Sequence, residues 1–262
     1  MKSVNQRFDS DFLRSVANFI AILAAFAINV YANVAPPNGL TIGEISNRFF
    51  SDVPIIPANY AFAIWGVIYL GLISFGVYQF LPEQRQNPYL RREGYFLVLA
   101  SIAQIAWVFL FEYQLFALSV VAMLFILLPL IGIYLRLGIS LERVSRLKKW
   151  LVQIPLSIYL GWISVATIVN VASTLDYLGW NGGGISPEIW TVILLVIVAA
   201  IAATITLKRA DIAYPSVIIW AFVAIAVRQA SQALIAVTAV VLAIALGLLI
   251  LGHQLRRPKV AI

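Results

Sequence analysis

The sequence predicts an all-α fold, a polytopic transmembrane helix bundle of eight spans. Three observations carry the prediction. Hydrophobic residues make up 62% of the chain and charged residues 11%, where a soluble domain has roughly a quarter of its residues charged. Apolar runs of about 17 to 25 residues, long enough to cross a hydrocarbon core, recur from end to end. Of the 18 Lys and Arg, all but Arg48 and Arg228 fall in alternate gaps between those runs, and basic residues in short loops set orientation.

The first run, about 13–33, follows Lys2, Arg7 and Arg14. It exceeds the roughly 7 to 15 residue core of a signal peptide, and Asn33, Val34 and Ala35 lack a small-x-small cleavage pattern, so it reads as a retained span. The loop 34–59 carries Pro36, Pro37, Gly39, Pro54 and Pro57, with a weakly amphipathic segment from Ile42 to Phe50. Such a loop either covers a pocket mouth or simply connects. Further spans are expected at about 60–81, 95–113, 115–135, 150–173, 187–207 and 232–253. An eighth, about 212–229, is short; Tyr214 and Pro215 open it, and Arg228 at its end can snorkel to the interface.

Counting this eighth run keeps the basic gaps alternating to the end of the chain. Arg85, Arg91 and Arg92 share a side with Arg136, Arg143, Arg146, Lys148 and Lys149, with Lys208 and Arg209, and with Arg256, Arg257 and Lys259. Both termini then lie on that basic side, the cytoplasmic face of what reads as a bacterial inner membrane. Asp9 and Asp11 distinguish the N-terminus from an acid-poor transit peptide. Asn181 to Gly184 lacks the lysine and Ser or Thr of a nucleotide loop and reads as a flexible turn before Pro187. Trp150, Trp180 and Trp190 sit at span ends as interfacial belt residues. Ala239, Ala243 and Gly247, spaced by four, permit close helix contact within the bundle, with a homodimer as the second reading.

Several functions are hard to build from this composition. A net charge of +7 would suggest nucleic acid in a soluble protein, but here the excess sits in loops that face lipid headgroups, so membrane lipid is the expected partner. There is no Cys, and the lone His253 beside Arg256 forms no metal site by itself. All five lysines lie outside the runs, which removes a retinal Schiff base. No carboxylate pair and no Ser with a nearby base suggests an enzyme. A proton relay wants ionisable groups near a span centre, whereas Glu112 and Arg228 stand at span ends.

Three runs do place aromatic and amide residues on single helical faces. Phe62, Trp65 and Tyr69 form one stripe; Gln104, Trp107 and Phe111 a second; Tyr159, Trp162, Ala166 and Asn170 a third. Amides in hydrocarbon need partners, so Gln104 and Asn170 are expected to face the bundle interior. The stripes fit an amphipathic cavity for a flat hydrophobic ligand. From spacing alone, a core in which the aromatics fill space and the amides bond neighbouring helices is the preferred reading.

The run Trp162, Ile163, Ser164, Val165, Ala166, Thr167, Ile168, Val169, Asn170 resembles the fifth-helix signature W-V-x-F-A-T-x-L-N of the TspO/MBR family, the tryptophan-rich sensory or translocator proteins. Pro57, Asn59, Tyr60, Phe62, Trp65 and Tyr69 are similar to its second-helix pattern P-x-W-x-F-x-P-V-W-x-x-L-Y, and Gln104 with Trp107 to its third-helix N-x-x-W. Tyr60 stands where the family usually has Trp, Gln104 replaces Asn, and one residue including the helix-two Pro is missing. These motifs lie within about 15–173. The resemblance implies a TspO-like five-helix bundle over 1–173, followed by a three-helix membrane extension over 174–262.

The same resemblance implies a cavity that binds a porphyrin or heme without an obligatory cofactor. Tyr60, Trp65, Gln104, Trp107, Trp162, Ala166 and Asn170 would line it by position, with Phe62 and Tyr69 on the same stripes. No Lys or Arg follows Tyr177 at the spacing of the sterol motif, so sterol specificity is not implied. The expected function is non-enzymatic binding of a hydrophobic tetrapyrrole-like ligand for sensing or shuttling. A secondary transporter of a small amphipathic solute is the alternative.

Overall fold

The computed structural model describes residues 10–256. Lys2, Arg7, Asp9, Arg257 and Lys259 lie outside them. Among the described residues all regular structure is helical. Helix α1 is Ser10–Val34; the loop after it contains α2, Ile42–Phe49; a 3₁₀ turn, Asn59–Ala63, leads into α3, Ile64–Tyr78. Short α4, Pro88–Arg91, precedes α5, Phe96–Glu112, and α6, Phe116–Arg136. Helix α7, Arg146–Lys148, passes through a π-helical turn, Lys149–Gln153, into α8, Ile154–Tyr177. Helices α9, Pro187–Arg209, α10, Ala213–Arg228, and α11, Ala233–Leu255, complete the bundle.

Each predicted apolar run is a helix, but length separates them. Six helical segments are long and apolar enough to cross a membrane: Ser10–Val34, Asn59–Tyr78, Phe116–Arg136, Arg146–Tyr177, Pro187–Arg209 and Ala233–Leu255. Helices α5 and α10 are apolar but have 17 and 16 residues, about 25 Å at 1.5 Å per residue. The expectation of eight spans is therefore met by six on length.

Local chemistry explains the helix ends. Thr41 and Glu44 form a reciprocal capping box that starts α2, the Glu44 backbone N–H donating to Thr41 Oγ1 and the Thr41 backbone N–H to Glu44 Oε2. The Thr41 backbone N–H and hydroxyl, both donating to Glu44 Oε2, hold that carboxyl below its ordinary pKa. Ser186 caps α9, with Pro187 at its first turn. Ala210, at φ 54°, ends that helix in the left-handed conformation, and Asp211 at once caps α10 through the backbone N–H groups of Ala213 and Tyr214. At the predicted turn, Gly182–Gly184 form a 3₁₀ turn, with Asn181 Oδ1 accepting from the Gly183 N–H at 3.1 Å.

Helix α8 is central and packs on α3, α6 and α10; α5 packs between α1 and α6; α9, α10 and α11 pack on one another. Glycine lets α8 approach two neighbours. A Cβ on Gly71 of α3 would stand 2.8 Å from Pro155 Cβ, and one on Gly161 would stand 3.1 Å from the Tyr214 carbonyl oxygen of α10. On α11, Ala239 and Ala243 are buried in the bundle, whereas Gly247 has open space where its Cβ would be.

The end of the bundle that carries the start of α1 holds a buried charge cluster. Arg14 Nη1 donates to Asp11 Oδ1 at 2.8 Å, and Arg91 Nε donates to both Asp11 oxygens at 3.0 Å. Beside it Asn18 Nδ2 donates to Gln79 Oε1 at 3.3 Å. Glu93, in the turn before α5, is fully buried, and burial pushes its carboxyl up to about 8 against the opposing pull of Arg14.

The opposite end is closed by the loop between α1 and α3. Its Val53–Pro57 stretch is buried, and α10 holds it at four points. The Ala58 N–H donates to the Ala224 carbonyl at 3.1 Å, Gln229 Nε2 to the Pro54 carbonyl at 3.0 Å, Arg228 Nη1 to Asn47 Oδ1 at 3.0 Å, and Trp220 Nε1 to the Ala61 carbonyl at 3.1 Å. On the other side Asn38 Nδ2 donates to the Glu112 carbonyl at 3.1 Å.

Candidate functional site

Beneath that loop the three aromatic stripes converge. Phe62 from the 3₁₀ turn, Trp65 from the start of α3, Gln104 and Trp107 with Phe111 from α5, and Trp162, Ala166 and Asn170 from α8 line one cavity. Met123 and Ile126 of α6 complete its wall, and Ile42, Ser46 and Pro57 roof it. The rings meet edge to face or stacked: Phe62 on Trp162 at 6.0 Å between centroids, Trp107 on Phe111 at 5.2 Å, and Trp65 on Tyr69 at 5.6 Å.

Both amides are fully engaged. Gln104 Nε2 donates to the Tyr69 hydroxyl at 2.8 Å and its Oε1 accepts from the Tyr159 hydroxyl, while Tyr69 donates to the Ala25 carbonyl at 3.1 Å. Asn170 Oδ1 accepts from Trp107 Nε1 at 2.9 Å, and its Nδ2 donates to Ser119 Oγ at 3.0 Å. Helices α1, α3, α5, α6 and α8 are thereby cross-linked by two polar clusters inside an apolar bundle. A polar group left unpaired in such surroundings costs roughly 1 to 3 kcal/mol.

The cavity itself is small, about 50 Å³, where sites for drug-sized ligands run from roughly 300 to 1,000 Å³. In this conformation it has room for a water or two. Its limited size comes from the side chains that converge on it and from the roof supplied by α2 and Pro57.

A family model described as TSPO-like protein matches residues 15–252. The chain belongs to the TSPO-like family. The match continues past residue 173, where the quoted motifs end, and runs through α9, α10 and most of α11. No curated protein and no solved structure matches the chain. The TSPO-like family is not a typical enzyme family, and its membership together with the apolar helices marks an integral membrane protein.

In this TSPO-like chain two expected site residues stand away from the cavity lining. Tyr60 is exposed and packs edge-on against Trp220 of α10, ring centroids 5.3 Å apart. Tyr69 is buried one layer deeper and acts on the site through its bond with Gln104. Sequence reasoning missed Ser119, Met123 and Ile126. Their spacing of four and three on one apolar run is the signal that could have placed α6 at the TSPO-like site. Glu112 ends α5 as a span-end residue, and its side chain is buried beside Phe111 with neither carboxylate oxygen hydrogen-bonded.

Proposed function

We propose that this TSPO-like chain is an eight-span protein of a bacterial inner membrane, its termini cytoplasmic, that binds a hydrophobic tetrapyrrole-like ligand such as a porphyrin for sensing or shuttling. The described residues up to 173 form the binding bundle, and those from 174 onward form a membrane extension that braces it. One observation carries the reading: Phe62, Trp65, Gln104, Trp107, Trp162, Ala166 and Asn170, from three separate helices, surround a single roofed cavity.

The indole and phenyl faces supply flat apolar walls, and Asn170 and Gln104 supply hydrogen-bonding groups that fix a ligand's orientation. Admission of a guest requires Ile42, Ser46 and Pro57 to move outward, since the closed cavity is far smaller than a tetrapyrrole. Trp107 and Ser119 must also exchange their bonds with Asn170 for bonds to the ligand. Affinity is then the surplus of ring burial over the work of opening the roof.

Tryptophan-quenching titration with protoporphyrin in detergent tests the proposal on wild type, Trp162→Ala and Asn170→Ala. Saturable quenching that weakens in both variants is expected. Saturable quenching indifferent to both substitutions removes the site from this cavity.

A further inference from the structure

A second cavity, about 530 Å³, lies between α8 and α9 at the roofed end of the bundle, well within the range of small-molecule sites. Its lining comes from the face of α8 carrying Ile168 and Val171, the start of α9, and the Asp52–Ile55 stretch of the long loop. The residues of α8 that face the first cavity are different ones, so the two spaces are separated by the helix itself.

The polar character of this cavity has one sign. Asp52 and Asp176 stand among its lining residues, both exposed, and no Lys or Arg does, although the chain carries a net charge of +7. Two indoles, Trp180 and Trp190, face it with ring centroids 5.4 Å apart and planes at 52°. Their support is built in. Trp190 Nε1 donates to the Gly182 carbonyl at 2.8 Å. Gly182 sits at φ +72°, where a Cβ would come within 3.2 Å of the Trp190 ring, so only glycine lets the turn close on the indole.

The geometry points to a binding site for an amphipathic organic cation, its positive head between the Asp52 and Asp176 carboxylates and the Trp180 and Trp190 faces, its apolar body along Ile168, Val171 and Leu194. Indole is the aromatic side chain with the strongest attraction for a cation, and quaternary ammonium groups are a recurrent guest of such aromatic cages. Carboxylates at the rim add Coulomb attraction that water screens less beside a hydrocarbon wall. They also repel the phosphates of anionic lipids, which separates this cavity from an ordinary lipid groove. A neutral flat ligand would gain nothing from the two acids.

Tetraphenylphosphonium and tetraphenylborate, near-identical in shape and opposite in charge, test the site by calorimetric titration of the full chain in dodecyl maltoside. Saturable binding of the phosphonium and none of the borate is expected. Asp52→Asn with Asp176→Asn should weaken the phosphonium about tenfold or more, and Trp180→Leu several-fold, the scale of one to a few cation contacts. All three changed residues are exposed, and equal melting temperatures would show that the variants remain folded. Equal binding of both ions, or phosphonium affinity unchanged in the double variant, overturns the proposal. Protoporphyrin quenching should be unaffected by these variants, so failure here is distinguishable from failure of the first cavity.

Discussion

Glu93 presents the sharpest residue-scale problem, because neither carboxylate oxygen has a hydrogen-bond partner although the side chain is fully buried. With its pKa raised to about 8, the folded chain holds a proton that the unfolded chain releases near 4.5. The sign follows: below about 4.5 Glu93 is neutral in both states, and stability then falls as pH rises towards 8, by up to a few kcal/mol. Glu93→Gln should flatten that slope and leave the variant more stable than wild type at pH 8 to 9. Melting temperatures of both proteins between pH 5 and 9 check this, and parallel curves would refute it. Residue-scale legibility in the sequence was uneven. The stripes through Trp107 and Trp162 were readable because a 3.6-residue period survives along an unbroken helix. Tyr60 was placed by its position in the family motif, and it lies in the 3₁₀ turn Asn59–Ala63, whose three residues per turn shift its phase relative to Trp65. A buried acid such as Glu93 looks like a solvated loop residue in a sequence, since only the fold buries the turns at helix ends.

At the scale of elements, contact between α3 and α8 depends on a missing methyl group. Gly71→Ala would force a Cβ to 2.8 Å from the rigid Pro155 ring and should cost about 1 to 3 kcal/mol. Gly66→Ala, on the same helix with nothing within 4 Å, should be neutral or stabilising by up to about 1 kcal/mol. Unfolding of the two variants in mixed micelles should separate them, and equal stabilities would show that the close approach is not limiting. Helix positions were legible from hydropathy alone, because hydrocarbon demands long apolar runs whatever the packing. The π-helical turn at Lys149–Gln153 and the closed turn at Gly182–Gly184 were not. Both are local answers to neighbours that hydropathy does not record.

For the molecule as a whole, the proposed eight-span arrangement requires α5 and α10, at 17 and 16 residues, to cross the bilayer alongside the six longer segments. The chain has no Cys, so single cysteines report topology without a background. In the eight-span arrangement Arg85→Cys, Arg143→Cys and Arg256→Cys react with an impermeant maleimide from one side of oriented vesicles, and Tyr113→Cys from the other; reaction of Arg85→Cys from the side of Tyr113→Cys would remove the α5 crossing. Reaction of Arg256→Cys from the same side as Tyr113→Cys would remove one crossing between them. Alternation of basic residues carried this arrangement in the sequence. What it could not carry was the partnership between distant parts of the chain, since the hydrogen bonds from α10 to residues 47–61 leave no periodic trace.

That partnership bears on kinetics. The Pro54 and Ala58 backbone groups are tethered to Gln229 and Ala224, about 170 positions away in the chain. On the proposed function, a guest's residence time beneath α2 would be set by the stretch least involved in recognising it. Substitutions in α10 would then retune how fast the chamber opens, while the walls proposed to select the occupant stay untouched.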